Sequence, residues 1–187
     1  MLRETERLRL RDWTIEDVHG AFRMYGDPEV TRYLGSGRTE PDLESQRHNL
    51  GAAIERMQAR TDGLGWWAVE EKDTGEVAGA ALLKPLPLSD LAEPIPGKEE
   101  IEIGWHLARD FWGRGYATEA ASEIVRYAFH DLGLPEIIAV LYPENVPSAR
   151  VAERLGMRYV GMTDRYYNVT VSKYVLDRVG GGAAPLS

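Results

Sequence analysis

Residues 100–141 constrain this chain more than any other stretch. A run that alternates apolar and polar side chains (99–107, EEIEIGWHL) gives way to a turn with two glycines. A helical pattern follows, and then a continuous apolar run (135–141, PEIIAVL). Alternation marks a strand with unlike faces, and an unbroken apolar run marks a strand buried on both. Two strands joined by a helix run parallel, and the crossover is expected to be right-handed. The helix, from about Tyr116 to Asp131, sets Ala117, Ala120, Ala121, Ile124 and Ala128 on one narrow face of small residues. Such a face lets a helix approach a sheet closely. One βαβ unit is therefore the organising element, and the fold class is mixed α/β.

The remaining pattern extends a sheet to either side of that unit. Residues 5–11 alternate Leu8 and Leu10 with charges, as a half-buried strand does. Thr14 with Asp17 has the spacing of a capping box and opens a helix to about Tyr25. Asp27-Pro28 starts a further short turn of helix. Thr39 and Asp42 repeat the capping pattern ahead of a helix reaching about Arg60. Gly65–Glu71 and Glu76–Leu86 flank Lys72-Asp73-Thr74-Gly75, a hairpin signal. Four prolines (85, 87, 94 and 96) make 85–98 a surface loop. Pro147–Leu155 reads as a helix stopped at Gly156, and strands near 157–162 and 168–177 finish a single domain over 1–179. The tail, 180–187 (GGGAAPLS), is expected to be disordered.

Composition narrows the chemistry. The chain has 187 residues and no cysteine, so disulfides, thiolate nucleophiles and cysteine-ligated metals are excluded. His19, His48, His106 and His130 show no ligand spacing, so no metal is assigned. No apolar run reaches the length of a membrane span and the start carries no secretory signal; a cytoplasmic location is expected. The net charge is −8, and residues 61–110 hold 11 Asp and Glu against 4 Lys and Arg. That acidity argues against nucleic-acid binding. It leads to the expectation that this segment lines or flanks a site for a cationic amine.

The turn Trp112-Gly113-Arg114-Gly115-Tyr116-Ala117-Thr118 lies at a helix start, where unpaired N–H groups and the helix dipole favour an anion. Arg114 is placed to add a charge-assisted contact. Neither a G-x-x-x-x-G-K-[ST] loop nor a complete G-x-G-x-x-G is present, since Thr118 stands in the third glycine slot.

The run Phe111-Trp112-Gly113-Arg114-Gly115-Tyr116-Ala117-Thr118-Glu119-Ala120 resembles the acetyl-CoA pyrophosphate loop of the GNAT N-acetyltransferases. It is most similar to the branch that acetylates ribosomal-protein N-termini. Asn145-x-x-Ser148 followed by Leu155-Gly156-Met157 is similar to a second signature of that branch, which usually has Phe where this chain has Met157. The resemblance covers about residues 5–177. It implies a twisted mixed sheet of about seven strands that splays between its fourth and fifth (99–107 and 135–141), with the pantetheine arm of acetyl-CoA in the gap. It also implies that backbone groups of Leu107 and Ala108 meet pantetheine. Trp112 and the N–H groups of Gly113, Arg114, Gly115, Ala117 and Thr118 then hold the pyrophosphate, and Asn145 fixes the arm from the other side.

The implied reaction is direct attack of a primary amine, on a protein N-terminus or a small molecule, on the thioester. Deprotonating an α-amine of pKa near 8 at pH 7 costs about 1.4 kcal/mol, against about 4.6 for a lysine. Glu102, mid-strand beside the gap, is the candidate base, acting directly or through water, and Glu100 is the reserve. A backbone N–H on 99–107 is the candidate oxyanion donor. Ser148 matches the family position that gives the departing thiolate a proton or a hydrogen bond; the alternative is a serine that merely caps its helix. His106 shares the face of Glu102 and is read as a wall residue. Trp66-Trp67 is read as strand core and rim, and Tyr166-Tyr167 as buried packing. A CoA-binding regulatory or interaction domain without turnover is the competing reading, and monomer and homodimer both stay open.

Overall fold

The computed structural model describes residues 2–35 and 37–178. Its eight strands form one sheet in the order β1-β2-β3-β4-β5-β6-β8-β7: β1 Leu2–Glu4, β2 Leu8–Arg11, β3 Gly65–Glu71, β4 Val77–Pro85, β5 Ile101–Leu107, β6 Glu136–Leu141, β7 Arg158–Tyr166 and β8 Val169–Asp177. One strand more than expected is present, β1, ahead of the expected strand 5–11, which itself begins only at Leu8. The Thr5 N–H donates to the Leu8 carbonyl at 2.9 Å, which turns the chain and lets Leu2 pair with Arg11. The 180–187 tail lies outside the described residues.

The helices are α1 Val18–Tyr25, α2 Pro28–Thr31, α3 Leu43–Gln58, α4 Tyr116–Arg126 and α5 Val146–Arg154. The Asp17 carboxylate accepts from the Thr14 N–H at 2.8 Å, closing the expected box at the 3-10 turn that leads into α1. Asp42, not Thr39, caps α3, accepting from the Ser45 N–H at 2.8 Å. Helix α4 passes into a widened turn over Tyr127–Asp131, where the Leu132 N–H reaches the Tyr127 carbonyl.

The βαβ unit forms as expected, with β5 and β6 parallel and α4 between them. Ala120, Ala121, Ile124 and Ala128 of the α4 segment are buried, and the small side chains hold the helix close against β4 and β5. Leu8, Leu10, Leu83, Ile103 and Ile137, all at most 1% exposed, extend this core across the sheet. A separate small cluster of Leu86, Ile138, Tyr166, Val171 and Val175 packs at the β6–β8 end.

The pairing around β5 is lopsided. Against β4 it runs in antiparallel register from Gly79↔Leu107 to Pro85↔Ile101. Against β6 the register holds a single pair, Glu102↔Ile138, after which the strands diverge.

Candidate active site

The fork between β5 and β6 makes a cleft with a broad end and a narrow end. The broad end is a cavity of about 930 Å³ reached by residues 112–119, Leu107, Asn145, Ser148, Arg150 and Arg154. The narrow end, about 170 Å³, is lined by Glu102, Lys84, His106 and Tyr167, and both ends share Asn145, Ser148, Trp105 and His106. Of the expected residues, Glu102, Leu107, Trp112 to Thr118, Asn145 and Ser148 thus converge on one cleft, which they approach from β5, the turn before α4, and the start of α5.

At the mouth, Gly113 and Gly115 take φ of +75° and +82°, a left-handed conformation that a side chain would strain. The first bond of α4 runs from the Glu119 N–H to the Gly115 carbonyl at 3.0 Å, so the N–H groups of Tyr116, Ala117 and Thr118 have no acceptor within the helix. The Thr118 Oγ1 atom is buried beside them without a hydrogen-bond partner. A cradle of amide donors with an orphaned hydroxyl, rimmed by Arg32, Arg114, Arg150 and Arg154, fits a phosphate-bearing ligand.

The cradle is braced from behind. The Arg7 guanidinium donates to Glu119 at 2.7 Å and to the Arg114 carbonyl at 3.0 Å. Burial works against the Glu119 charge, but hydrogen bonds from Thr5, the Arg7 N–H and the Arg7 guanidinium outweigh it and hold its carboxyl low. Glu71 accepts from the buried Tyr116 hydroxyl and lies 3.4 Å from Arg114, so Arg114 is shared between the rim and an internal ion pair.

Backbone alternation decides which groups of β5 face the gap. The Ala108 N–H bonds to the Ala78 carbonyl at 3.0 Å, which makes 108↔78 a hydrogen-bonded pair and 107↔79 a non-bonded one. The N–H and C=O groups of Trp105 and Leu107 therefore point away from β4, towards the splayed side. There the Leu107 carbonyl accepts from Trp112 Nε1 at 2.8 Å, leaving its N–H. Ala108 is spent internally, since its carbonyl also accepts from the Phe111 N–H at 3.0 Å. Trp105, not Ala108, accompanies Leu107 along the open edge.

Glu102 sits at the fork with its side chain 11% exposed and Lys84 Nζ 3.6 Å away. Burial pushes its carboxyl above the usual carboxylate range, against the opposing pull of Lys84 and of the Tyr167 hydroxyl, which donates to it. Glu100 has the opposite fate: burial works against its charge, but Lys173 at 3.0 Å, the Tyr166 hydroxyl at 2.8 Å and Arg165 at 3.4 Å hold it low. It is locked in the β7–β8 side of the sheet and is no reserve base. His106 is pushed down to about 4 by burial and stays neutral, with Nδ1 3.3 Å from the Tyr25 hydroxyl; it forms wall.

Asn145, not Ser148, caps α5: its Oδ1 accepts from the Ser148 N–H at 3.3 Å. The Ser148 hydroxyl takes no part in that cap. Trp67 is core, and Trp66 stacks on Trp13 with centroids 4.5 Å apart, as strand core and rim should. The Tyr166-Tyr167 pair divides: Tyr166 is fully buried packing, whereas Tyr167 lines the cleft. Tyr167 and Asn168 take φ of +60° and +58° in the two-residue turn between β7 and β8. That conformation costs about 1–2 kcal/mol for a side-chain-bearing residue. The turn is clamped by the 85–98 loop, where the Asp90 N–H donates to Asn168 Oδ1 and the Asn168 N–H to Ser89 Oγ, both at 2.9 Å. A bulky residue forced into a left-handed turn is a signal of function, but one visible only in the backbone.

The acidic segment does not line the site. Of its carboxylates only Glu102 reaches either end of the cleft. Glu70 is buried between Arg9 and Arg11, Asp62 pairs with Arg60, and Glu76 with Arg23. The charge excess reflects partners supplied by other parts of the chain.

Comparison with known proteins agrees with this geometry. Residues 7–158 match the family model described as an acetyltransferase (GNAT) domain. The chain is 32% identical over 171 residues to the protein YkkB of Bacillus subtilis (strain 168), covering 91% of this chain and 92% of that one. It is 31% identical over 163 residues to YoaA of the same organism, named as an N-acetyltransferase, covering 87% and 86%. The crystal structure of a GNAT-family acetyltransferase from Bacillus anthracis superposes with a TM-score of 0.72 at 25% identity, covering 94% of this chain and 96% of that one. Among the described residues no helix is long and apolar enough to cross a membrane, and no group of three or more metal-ligating side chains occurs.

Proposed function

Because the chain belongs to the GNAT family of acetyl-CoA-dependent N-acetyltransferases, we propose that it transfers the acetyl group directly to a primary amine held at the narrow end of the β5–β6 cleft. The observation that carries this reading is the fork itself. An amide cradle stands at its mouth, open backbone runs along its wall, and a buried carboxylate lies at its depth.

Each residue then has a defined task. The N–H groups of Gly113, Arg114, Gly115, Ala117 and Thr118 bind the pyrophosphate of acetyl-CoA, with Trp112 at the rim. The N–H of Leu107 and the backbone of Trp105 pair with the pantetheine arm, as a partner strand would. Asn145 holds the arm from the α5 side through its amide nitrogen, its oxygen being committed to the helix cap. Glu102 takes the proton from the attacking ammonium, directly or through one water. A backbone N–H of β5 polarises the acyl oxygen. Attack of the freed amine forms the C–N bond; as the C–S bond then breaks, the second amine proton passes to the departing sulfur, which the Ser148 hydroxyl hydrogen-bonds, and the thiol leaves. With no cysteine in the chain, no acyl-cysteine forms on the way.

Calorimetry with acetyl-CoA, followed by thiol release with amines added, tests the reading. Binding with amine-dependent release is expected. Absence of binding would overturn it, and binding without release for every amine would make the domain a cofactor-binding module.

A further inference from the structure

The narrow end of the cleft holds a cation as well as a base. Lys84 of β4 stands directly opposite Glu102 of β5 in the sheet register. Its Nζ lies 3.6 Å from Glu102 Oε2 and 5.3 Å from the centre of the Tyr167 ring. Around this pair the walls are apolar or aromatic: Leu82, Val169, Val171, Tyr33 and Tyr142. Among the described residues lining this end, Glu102 is the one carboxylate, and His106, half-buried, is held neutral.

Charge balance then discriminates between acceptors. An ammonium entering alone would place two cations against one carboxylate in a half-buried, mostly apolar space, where an unbalanced charge is costly. A polyamine would add further positive charge with no further carboxylate lining the narrow end to meet it. A zwitterion keeps the site neutral, because its ammonium faces Glu102 while its carboxylate faces Lys84. The distances also match. The amine nitrogen and nearer carboxylate oxygen of an α-amino acid lie roughly 3 Å apart by bond lengths alone, close to the 3.6 Å between the two protein groups.

We propose that Lys84 is a specificity-determining residue and that the acceptor is a free α-amino acid with an apolar side chain, its carboxylate bound by Lys84 and its amine presented to Glu102. This rests on the acetyltransferase reading above and narrows it.

The test compares L-leucine, L-phenylalanine and L-methionine with their carboxamides and with spermidine, in thiol release at saturating acetyl-CoA. Calorimetry of acetyl-CoA alone runs in parallel. At least one free amino acid should exceed its carboxamide at least tenfold in kcat/KM, and spermidine should be the poorest substrate. Lys84→Met should collapse that ratio to within about twofold through KM for the amino acid while leaving acetyl-CoA affinity unchanged. Lys84→Arg should keep most of it. Equal use of acid and carboxamide, preference for spermidine, or a Lys84→Met ratio equal to wild type would overturn the proposal. So would acetyl-CoA binding with no amino acid acetylated, an outcome that spares the cofactor site. Loss of acetyl-CoA binding itself would overturn the underlying reading instead.

Discussion

The two sides of β5 use one backbone in two ways. Towards β4 the strand is zipped along its whole length, Ile101 to Leu107, and its backbone groups there are spent on the sheet. Towards β6 pairing stops at Glu102↔Ile138, and the groups left over face a cleft. Backbone groups left unpaired in the sheet need another partner, water or a ligand, so the open side is free to meet a ligand and the paired side is not. The same division separates two carboxylates two residues apart. Glu100 is ringed by Lys173, Tyr166 and Arg165 and held ionised, whereas Glu102 is buried at the fork and pushed up. Environments that drive like groups apart assign them different roles.

Exchanging Glu102 for Gln is the strongest attempt to break this division. On the open side it should lower kcat by about 10²–10⁴, the usual share of a general base, with acetyl-CoA affinity unchanged. The base must be ionised to work, and its carboxyl is raised, so wild-type kcat should climb with pH above the ordinary carboxylate range. That limb should vanish in Glu102→Gln; a limb that persists would remove Glu102 from the reaction.

His106 sharpens the comparison next. Its folded value near 4 lies below the ordinary 6.5, so the unfolded chain takes up the proton first. Stability from this group is complete above about pH 6.5 and drains away as pH falls towards 4, by up to about 3 kcal/mol. Urea midpoints across that range should fall more steeply for the wild type than for His106→Gln, and parallel curves would contradict the burial argument.

Glu100→Gln is the smaller, complementary change. It should cost about 1–3 kcal/mol of unfolding free energy, as a buried polar network loses its charge, and leave kcat within about twofold. A large loss of kcat without loss of stability would erase the contrast between the two carboxylates.

How much of this was legible in the sequence follows the range of the interactions. The crossover unit, the glycine turn and the position of Glu102 could be read because each depends on local pattern: period-two alternation, left-handed glycines at a helix start, and an apolar run. The three-residue β1 was invisible because so short a strand has no period of its own and owes its existence to pairing with β2. Ala108 was misplaced because hydrogen-bond parity is set by register with β4, which only the fold reveals. The acidic stretch misled because charge summed along the chain ignores arginines brought in from β2 and α1. Tyr167 looked like packing because its direction is set by a turn that loop 85–98 clamps from afar.

In the proposed reaction, acetyl-CoA completes the open side of β5 and the turn before α4. Amide hydrogen exchange, measured residue by residue with and without acetyl-CoA, tests it directly. Marked slowing is expected at Trp105, Leu107 and Gly113 to Thr118, with little change along β4 between Val77 and Pro85. Unchanged exchange at the glycine turn and at Leu107 while the ligand is bound would contradict it.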